Sequence, residues 1–165
     1  MTGVFTPAAL ILALVTLQRL GELVLAKRNT QRLLARGAHE EGAAHYSTIV
    51  LLHAAWLVGL WYLAFDREPR LGWLAVFVVL QVARVWVIAT LGERWTTRII
   101  VLPAAPLVAS GPFRFVRHPN YCVVAAEIIV LPLVFDLWIY GIVFSILNAL
   151  VLWRRIHAEE AALRS

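Results

Sequence analysis

Long, uninterrupted apolar runs dominate the sequence and restrict it to a membrane fold. Hydrophobic residues make up 61% of the 165 residues and the mean hydropathy is +0.77, whereas soluble domains contain roughly 45–50% apolar residues. Because lipid offers no partner for backbone N–H and C=O groups, such runs must form helices. A membrane β-barrel would need alternating apolar and polar residues, which these runs lack. We therefore predict a single-domain, all-α integral membrane protein.

The apolar runs divide into five segments, which we predict to be transmembrane helices. A bilayer core about 30 Å thick requires roughly 20 residues of helix, and the first three segments are close to that length. The last two are a little short, and Pro132 and Asp136 separate them, which indicates a helical hairpin rather than one long kinked helix. A polar helical tail, residues 154–165, follows. The five predicted segments are residues 5–25, 48–65, 72–91, 121–135 and 137–153.

Basic residues are concentrated in two connections, residues 27–46 and 92–120. The positive-inside rule then places both connections and the tail in the cytoplasm, with the N-terminus outside. The formal net charge of +5 does not indicate nucleic acid as a partner, since the arginines lie between apolar runs rather than on a soluble basic face. The lipid bilayer is the partner that this pattern predicts.

The first connection has two further features. Thr30 is predicted to cap a short amphipathic helix on the membrane surface that Gly37 ends. The acidic and imidazole side chains that follow include His39, Glu40 and His45. Their spacing is not that of a zinc motif, so we interpret them as solvated loop residues and predict no metal site.

Charged and polar side chains also occur inside the predicted spans. Arg19 and Glu22 share one helix face, either as an interfacial pair or as a buried functional pair. Arg84 lies deep in the third span and needs a carboxylate, a backbone carbonyl or an anionic ligand. Glu22 and Glu127 are both possible partners. His53, in the second span, is either a packing residue or part of a substrate cavity.

Polar chemistry is densest in residues 111–121, which read Gly-Pro-Phe-Arg-Phe-Val-Arg-His-Pro-Asn-Tyr. Pro119 is predicted to start the fourth helix and to hold His118 in an extended conformation. The free N–H groups and dipole of that helix, beside Arg117, suit a carboxylate or phosphate.

The tail is predicted to complete a site with residues 111–121 on the same face of the membrane. Glu159 and Glu160 supply acceptors for ribose hydroxyls or an ammonium group, and Arg155 is expected to pair with Glu159 at the i, i+4 spacing. The two stretches together would suit a ligand with an anionic group, a sugar and a cation.

The same residues carry a resemblance to a known family. Gly111-Pro112-Phe113, then Arg117-His118-Pro119-Asn120-Tyr121, a hydrophobic hairpin and Glu159-Glu160 resemble the isoprenylcysteine carboxyl methyltransferase family of integral membrane enzymes. The resemblance is most specific over residues 91–163. Earlier residues are similar to a bacterial branch whose members often accompany polyketide synthases. Phe113 departs from the family, which commonly has tyrosine at that position.

The resemblance implies an S-adenosylmethionine-dependent methyltransferase of the bacterial inner membrane, with its active site facing the cytoplasm. Residues 92–165 would bind the cofactor and residues 1–91 the methyl acceptor, a prenylcysteine-like carboxylate or an alkylpyrone-like enol. Arg84, Arg154 and Arg155 are the candidates to orient the anionic head of that lipophilic acceptor, and Tyr121 or Trp153 is predicted to face the sulfonium. The residues implied to line the cofactor pocket are Arg117, His118, Pro119, Tyr121, Glu159 and Glu160.

Two other functions are compatible with the sequence. Membrane sterol reductases carry a motif similar to Arg-His-Pro-Asn-Tyr, so a nicotinamide-dependent reductase is one alternative, although the chain is short for that scaffold. A non-enzymatic membrane scaffold or carrier is the other, suggested by Arg84 and His53. The sequence leaves the acceptor and the oligomeric state open.

Overall fold

The computed structural model describes residues 6–41, 43–103 and 105–162. The side chain of His45, the start of the first predicted span and residues 163–165 of the predicted tail lie outside the described part. Five long helices dominate the fold: α1 (Pro7–Ala35), α2 (Ala43–Ala64), α3 (Leu71–Leu91), α4 (Pro119–Val134) and α5 (Trp138–Ala162). Two short strands, β1 (His39–Glu41) and β2 (Ile99–Val101), and two 3-10 turns, Gly92–Arg94 and Gly111–Arg114, lie in the connections.

Four of the helices, α1, α2, α3 and α5, are long and apolar enough to cross a membrane. Their outer faces carry exposed large apolar side chains, such as Val24 at 70% and Val79 at 67% exposure, which water would penalise and lipid accepts. Helix α4 has 16 residues, about 24 Å at 1.5 Å per residue, which is shorter than the hydrocarbon core. The helical membrane fold is confirmed, with four helices of spanning length and a shorter fifth.

One predicted boundary is corrected because a helix continues where a separate element was expected. Helix α1 runs without interruption to Ala35, so the predicted surface helix from Thr30 is its last part. Gly37 ends it as predicted: its φ is 88°, and the next amide, of Ala38, donates to the Leu33 carbonyl at 3.1 Å, a helix ending that favours glycine. The polar tail continues α5 as a helical extension through Ala162, as predicted.

The predicted hairpin between α4 and α5 is confirmed. Helix α4 ends at Val134, and Asp136 has a φ of 61°. The Leu137 amide then donates to the Pro132 carbonyl at 3.0 Å, which reverses the chain. Arg70, from the connection between α2 and α3, donates to the Asp136 carboxylate at 2.8 Å. The hairpin tip is therefore fixed to the end of the bundle opposite the start of α4.

The core lies between α1, α2, α3 and α4, and partly buried side chains of α5 pack against it. Leu12, Leu60, Leu131 and Phe135 are fully buried there. The Trp56 indole satisfies its polar atom by donating to the Ile128 carbonyl at 3.2 Å, as a buried indole N–H requires. This packing fixes α4 against α2 although α4 is short.

A small antiparallel ribbon joins the two basic connections. Strand β1 pairs with β2 in a register that sets His39 opposite Val101 and Glu41 opposite Ile99. Arg98 reinforces the ribbon, donating to both Glu40 carboxylate oxygens at 2.8 Å and stacking over the Tyr46 ring. The two connections thus lie on one side of the helices, as the charge pattern predicted. Glu40, expected to be solvated, is instead engaged in this ion pair.

Candidate functional site

A cavity of about 600 Å³ lies where the start of α4 meets the end of α5 and the connection that follows α3. Its wall brings together residues that are far apart in the chain, from 117–121 and 155–160. All six residues predicted to hold a cofactor line it: Arg117, His118, Pro119, Tyr121, Glu159 and Glu160. The two polar stretches identified in the sequence therefore form one wall of one cavity.

Helix α4 begins at Pro119 as predicted, and His118 is its cap residue with φ −126°. The His118 carbonyl accepts from the amides of Tyr121 at 3.1 Å and Cys122 at 3.2 Å. Proline itself has no N–H. The first turn therefore offers fewer free N–H groups than the sequence argument assumed, and the charge of Arg117, which is exposed at the cavity, becomes the stronger attraction for an anion.

Tyr121 is the centre of the polar wall. Its hydroxyl donates to the Glu159 carboxylate at 2.5 Å and accepts from Arg155 Nε at 3.0 Å. A second Arg155 nitrogen donates to the Thr97 carbonyl at 2.6 Å. The predicted direct pair between Arg155 and Glu159 is thus wrong: the tyrosine hydroxyl stands between them. Tyr121 lies outside the four spanning helices, and burial raises the pKa of its phenol, so it remains a protonated donor.

His118 connects this tyrosine to both tail carboxylates. Its ring is stacked on the Tyr121 ring with centroids 5.6 Å apart. His118 Nε2 lies 3.4 Å from Glu160 and Nδ1 lies 4.0 Å from Glu159. The Glu159 and Glu160 side chains retain 29% and 36% of their exposure, so both carboxylates are accessible from the cavity that they line.

Two structural constraints favour glycine at position 111. Its φ is 56°, which side chains disfavour, and a Cβ at this position would lie 2.6 Å from Thr90 Oγ1. This close approach packs the turn Gly111–Arg114 against α3 beside Trp86. The contact positions Phe113, which lines the cavity.

Sequence reasoning missed the residues that hold the connection after α3. Asn29 is 2% exposed, and its amide donates to the carbonyls of Gly92 at 3.1 Å and Trp95 at 2.8 Å. Trp95 and Asn120 line the cavity, and each has a buried polar side-chain atom without a hydrogen-bond partner among the described residues. A polar asparagine in a long apolar helix was the one signal that could have revealed this anchor.

Arg84, predicted to orient an acceptor, lies away from the cavity wall in a closed network of charges. Its guanidinium makes a two-pronged contact with Glu22 at 2.6 and 2.7 Å and a contact with Glu127 at 2.9 Å. Arg19 bridges the same carboxylates, at 3.0 Å to Glu22 and 2.9 Å to Glu127. Both predicted carboxylate partners are therefore used, and the partly buried pair Arg19–Glu22 belongs to this network.

Three other candidates lie outside the cavity lining. Arg154 is exposed on α5, and Trp153 is 63% exposed with its ring centroid 4.7 Å from that of His157. Tyr121 is therefore the aromatic candidate that faces the cavity. His53 is half-buried, and its Nδ1 lies 2.8 Å from the Ile49 carbonyl. Because a carbonyl only accepts, Nδ1 carries the proton in this contact.

The fold and the site define a class: a small helical integral membrane protein with a polar cavity at one end of its bundle. The sequence model of the isoprenylcysteine carboxyl methyltransferase (ICMT) family matches residues 73–165. The chain belongs to this family of membrane methyltransferases, and the predicted resemblance is confirmed.

Two bacterial proteins are similar over nearly the whole chain. The uncharacterized protein YpbQ of Bacillus subtilis (strain 168) is 37% identical over 160 residues, covering 94% of this chain and 95% of that protein. An uncharacterized protein of Haemophilus influenzae (strain ATCC 51907 / DSM 11121 / KW20 / Rd) is 30% identical over 152 residues, covering 88% of each chain. The similarity thus extends beyond the matched family region into the first two helices.

Proposed function

We propose that the protein transfers a methyl group from S-adenosylmethionine to an oxygen of a lipophilic acceptor, a prenylcysteine-like carboxylate or an alkylpyrone-like enol. The reaction takes place at the cytoplasmic face of the bacterial inner membrane. One observation carries the proposal: the cavity gathers His118, Tyr121, Glu159 and Glu160 from distant parts of a chain that belongs to a methyltransferase family.

The residues at the cavity fit the chemical groups of S-adenosylmethionine. Arg117 suits the methionine carboxylate, and Glu159 and Glu160 suit its ammonium group or the ribose hydroxyls. The Tyr121 ring, on which His118 is stacked and over which the Arg155 guanidinium lies 5.8 Å from the centroid, also lines the cavity. The unpaired polar atoms of Trp95 and Asn120 add hydrogen-bonding capacity. A volume of about 600 Å³ falls within the roughly 300–1,000 Å³ of small-molecule sites.

The protein's own part in the reaction is alignment and desolvation. S-adenosylmethionine, when bound, would supply a methyl group activated by its sulfonium. The ionised acceptor oxygen would attack that methyl carbon, so that the oxygen–carbon bond forms as the carbon–sulfur bond breaks and the neutral thioether S-adenosylhomocysteine leaves. Such an acceptor needs no general base. The hydrogen bonds of Tyr121 to Glu159 and Arg155 hold one wall rigid, which favours a fixed distance between the reacting atoms.

Binding of S-adenosylmethionine to purified protein, measured by calorimetry, tests the cofactor assignment. We expect His118→Ala and Glu160→Ala to weaken binding about tenfold or more, since each removes a group that would contact a charged ligand. Glu68→Ala, on an exposed side chain of the connection between α2 and α3, is the matched control. Normal binding by both site variants would refute the assignment.

Transfer of radiolabelled methyl groups into an organic-soluble product of a lipid extract tests the activity, because the extract offers many candidate acceptors at once. A reductase would instead bind NADPH in preference to S-adenosylmethionine, and a scaffold would yield no labelled product from any extract. Either result would replace the proposal.

A further inference from the structure

The cavity has a second, apolar wall that the cofactor residues do not use. Residues 105–109 and Phe113 contribute it, together with Leu91 at the end of α3. Leu107 is 72% exposed although it borders the cavity. An exposed apolar surface beside membrane-spanning helices suits an aliphatic chain that arrives from the lipid.

The arginines at the cavity differ in whether their charge is already engaged. Arg98 pairs with Glu40, and Arg155 is held by Tyr121 and the Thr97 carbonyl. Within the described residues, neither Arg117 nor Arg94 forms an ion pair. Arg117 suits the cofactor carboxylate under the proposed function, so Arg94 is the remaining cavity arginine without an anionic partner in the part of the chain that the structure describes.

Arg94 lies where the apolar wall meets the membrane boundary. It is the last residue of the apolar stretch that begins at Leu71, and it is exposed. One of its guanidinium nitrogens donates to the Pro106 carbonyl, which holds the side chain against residues 105–109. An amphiphile with its tail in lipid would have its head group at this depth.

We propose that Arg94 is the acceptor-binding arginine, pairing with the ionised oxygen group of a single-chain amphiphile whose apolar tail lies against residues 105–109 and Phe113. The proposal rests on the proposed function and specifies its acceptor: an acid with one apolar tail. It assigns to Arg94 the role that the sequence suggested for Arg84 and Arg154, because Arg84 is neutralised by two carboxylates and Arg154 lies outside the cavity lining.

The test compares N-acetyl-S-farnesylcysteine with its methyl ester, which has the same tail without the charge. Binding of each to the full-length protein in lipid nanodiscs is measured for the wild type, Arg94→Gln and Arg94→Lys. Arg114→Gln is the control, because Arg114 is exposed in the same connection but does not line the cavity. We expect Arg94→Gln to weaken carboxylate binding about tenfold and ester binding less than about twofold, with Arg94→Lys close to wild type.

Three results would overturn the proposal. One is wild-type protein that binds the carboxylate no more tightly than the ester, or binds neither. Another is an Arg94→Gln variant that binds both ligands more weakly by the same factor. Arg94 would then only stabilise the connection through its hydrogen bond to Pro106. The third is Arg114→Gln with the same effect as Arg94→Gln. Binding of S-adenosylmethionine is measured on the same samples. Absence of that binding would refute the cofactor assignment and would leave the result with the amphiphile unaffected.

Discussion

At the scale of single residues, the site depends on hydroxyl and guanidinium contacts that sequence spacing does not reveal. Arg155 and Glu159 have the spacing of a helical ion pair, yet both contact the Tyr121 hydroxyl instead. The i, i+4 rule describes an isolated helix, and here α4 places a better partner between the two side chains. The sequence predicted which residues come together at the cavity wall, but it did not predict the hydrogen bonds between them.

Tyr121→Phe should reduce the affinity for S-adenosylmethionine about tenfold while leaving the protein folded. The substitution keeps the ring but removes the hydroxyl that both receives a bond from Arg155 and donates one to Glu159, and loss of hydrogen bonds to charged groups costs roughly 1.5–3 kcal/mol. Calorimetry measures the affinity, and near-ultraviolet circular dichroism checks the fold. Tyr62→Phe, at a tyrosine that is 87% exposed, should have no effect; equal losses in both variants would contradict the role of Tyr121.

Gly111→Ala should destabilise the protein by roughly 1–3 kcal/mol, because the side chain adds backbone strain at positive φ and a clash with Thr90. Gly21→Ala is the control: it lies in α1 with nothing within 4 Å of the new Cβ, and should be neutral or stabilising by up to about 1 kcal/mol. Thermal unfolding in detergent measures both. Equal stability of the Gly111 variant and the wild type would mean that the turn can move away from α3.

At the scale of elements, the sequence predicted the helices well and their connections poorly. Pro119, Gly37 and the interruption at Asp136 determine helix ends through local backbone preferences, and all three act where expected. Strands β1 and β2 are short and pair between distant parts of the chain, so no local pattern indicates them. The network of Arg84, Glu22 and Glu127 was predicted as a set of alternatives, because sequence spacing within one helix does not determine which face of another helix it meets.

The charge network should behave as a unit that joins α1, α3 and α4. Removing one member leaves an unpaired buried charge, and breaking a buried pair costs about 3–5 kcal/mol. We expect Arg84→Met and Glu127→Met each to lower stability by that order, and the double variant to be less destabilised than the sum, because Arg19 and Glu22 remain as a neutral pair. A double-mutant cycle by thermal unfolding measures the coupling; strict additivity would show that the four charges act independently.

At the scale of the whole molecule, the ribbon, the start of α4 and the end of α5 all lie at one end of the bundle, and the hairpin tip lies at the other. Which end faces the cytoplasm follows from the charge pattern alone and stays a prediction. The single cysteine provides a direct probe, since Cys122 is exposed in the first turn of α4.

A membrane-impermeant maleimide should label Cys122 in inside-out membrane vesicles and not in intact spheroplasts. Moving the thiol to the hairpin tip, as Asp136→Cys in a Cys122→Ser background, should reverse the pattern. Labelling of Cys122 from the outside would place the cavity on the opposite face of the membrane and would contradict the predicted topology.

The charge network also has a consequence for how the chain is made. Arg19 and Glu22 neutralise each other within α1, so the first helix can enter the membrane without excess charge. When α3 follows, Arg84 can contact Glu22, but the three side chains then carry one excess positive charge until Glu127 arrives with α4. We therefore expect the charges of the partly assembled bundle to balance only when α4 packs against α1 and α3. The same helix brings Tyr121 into place, so neutralisation of the network precedes completion of the cavity wall by α5.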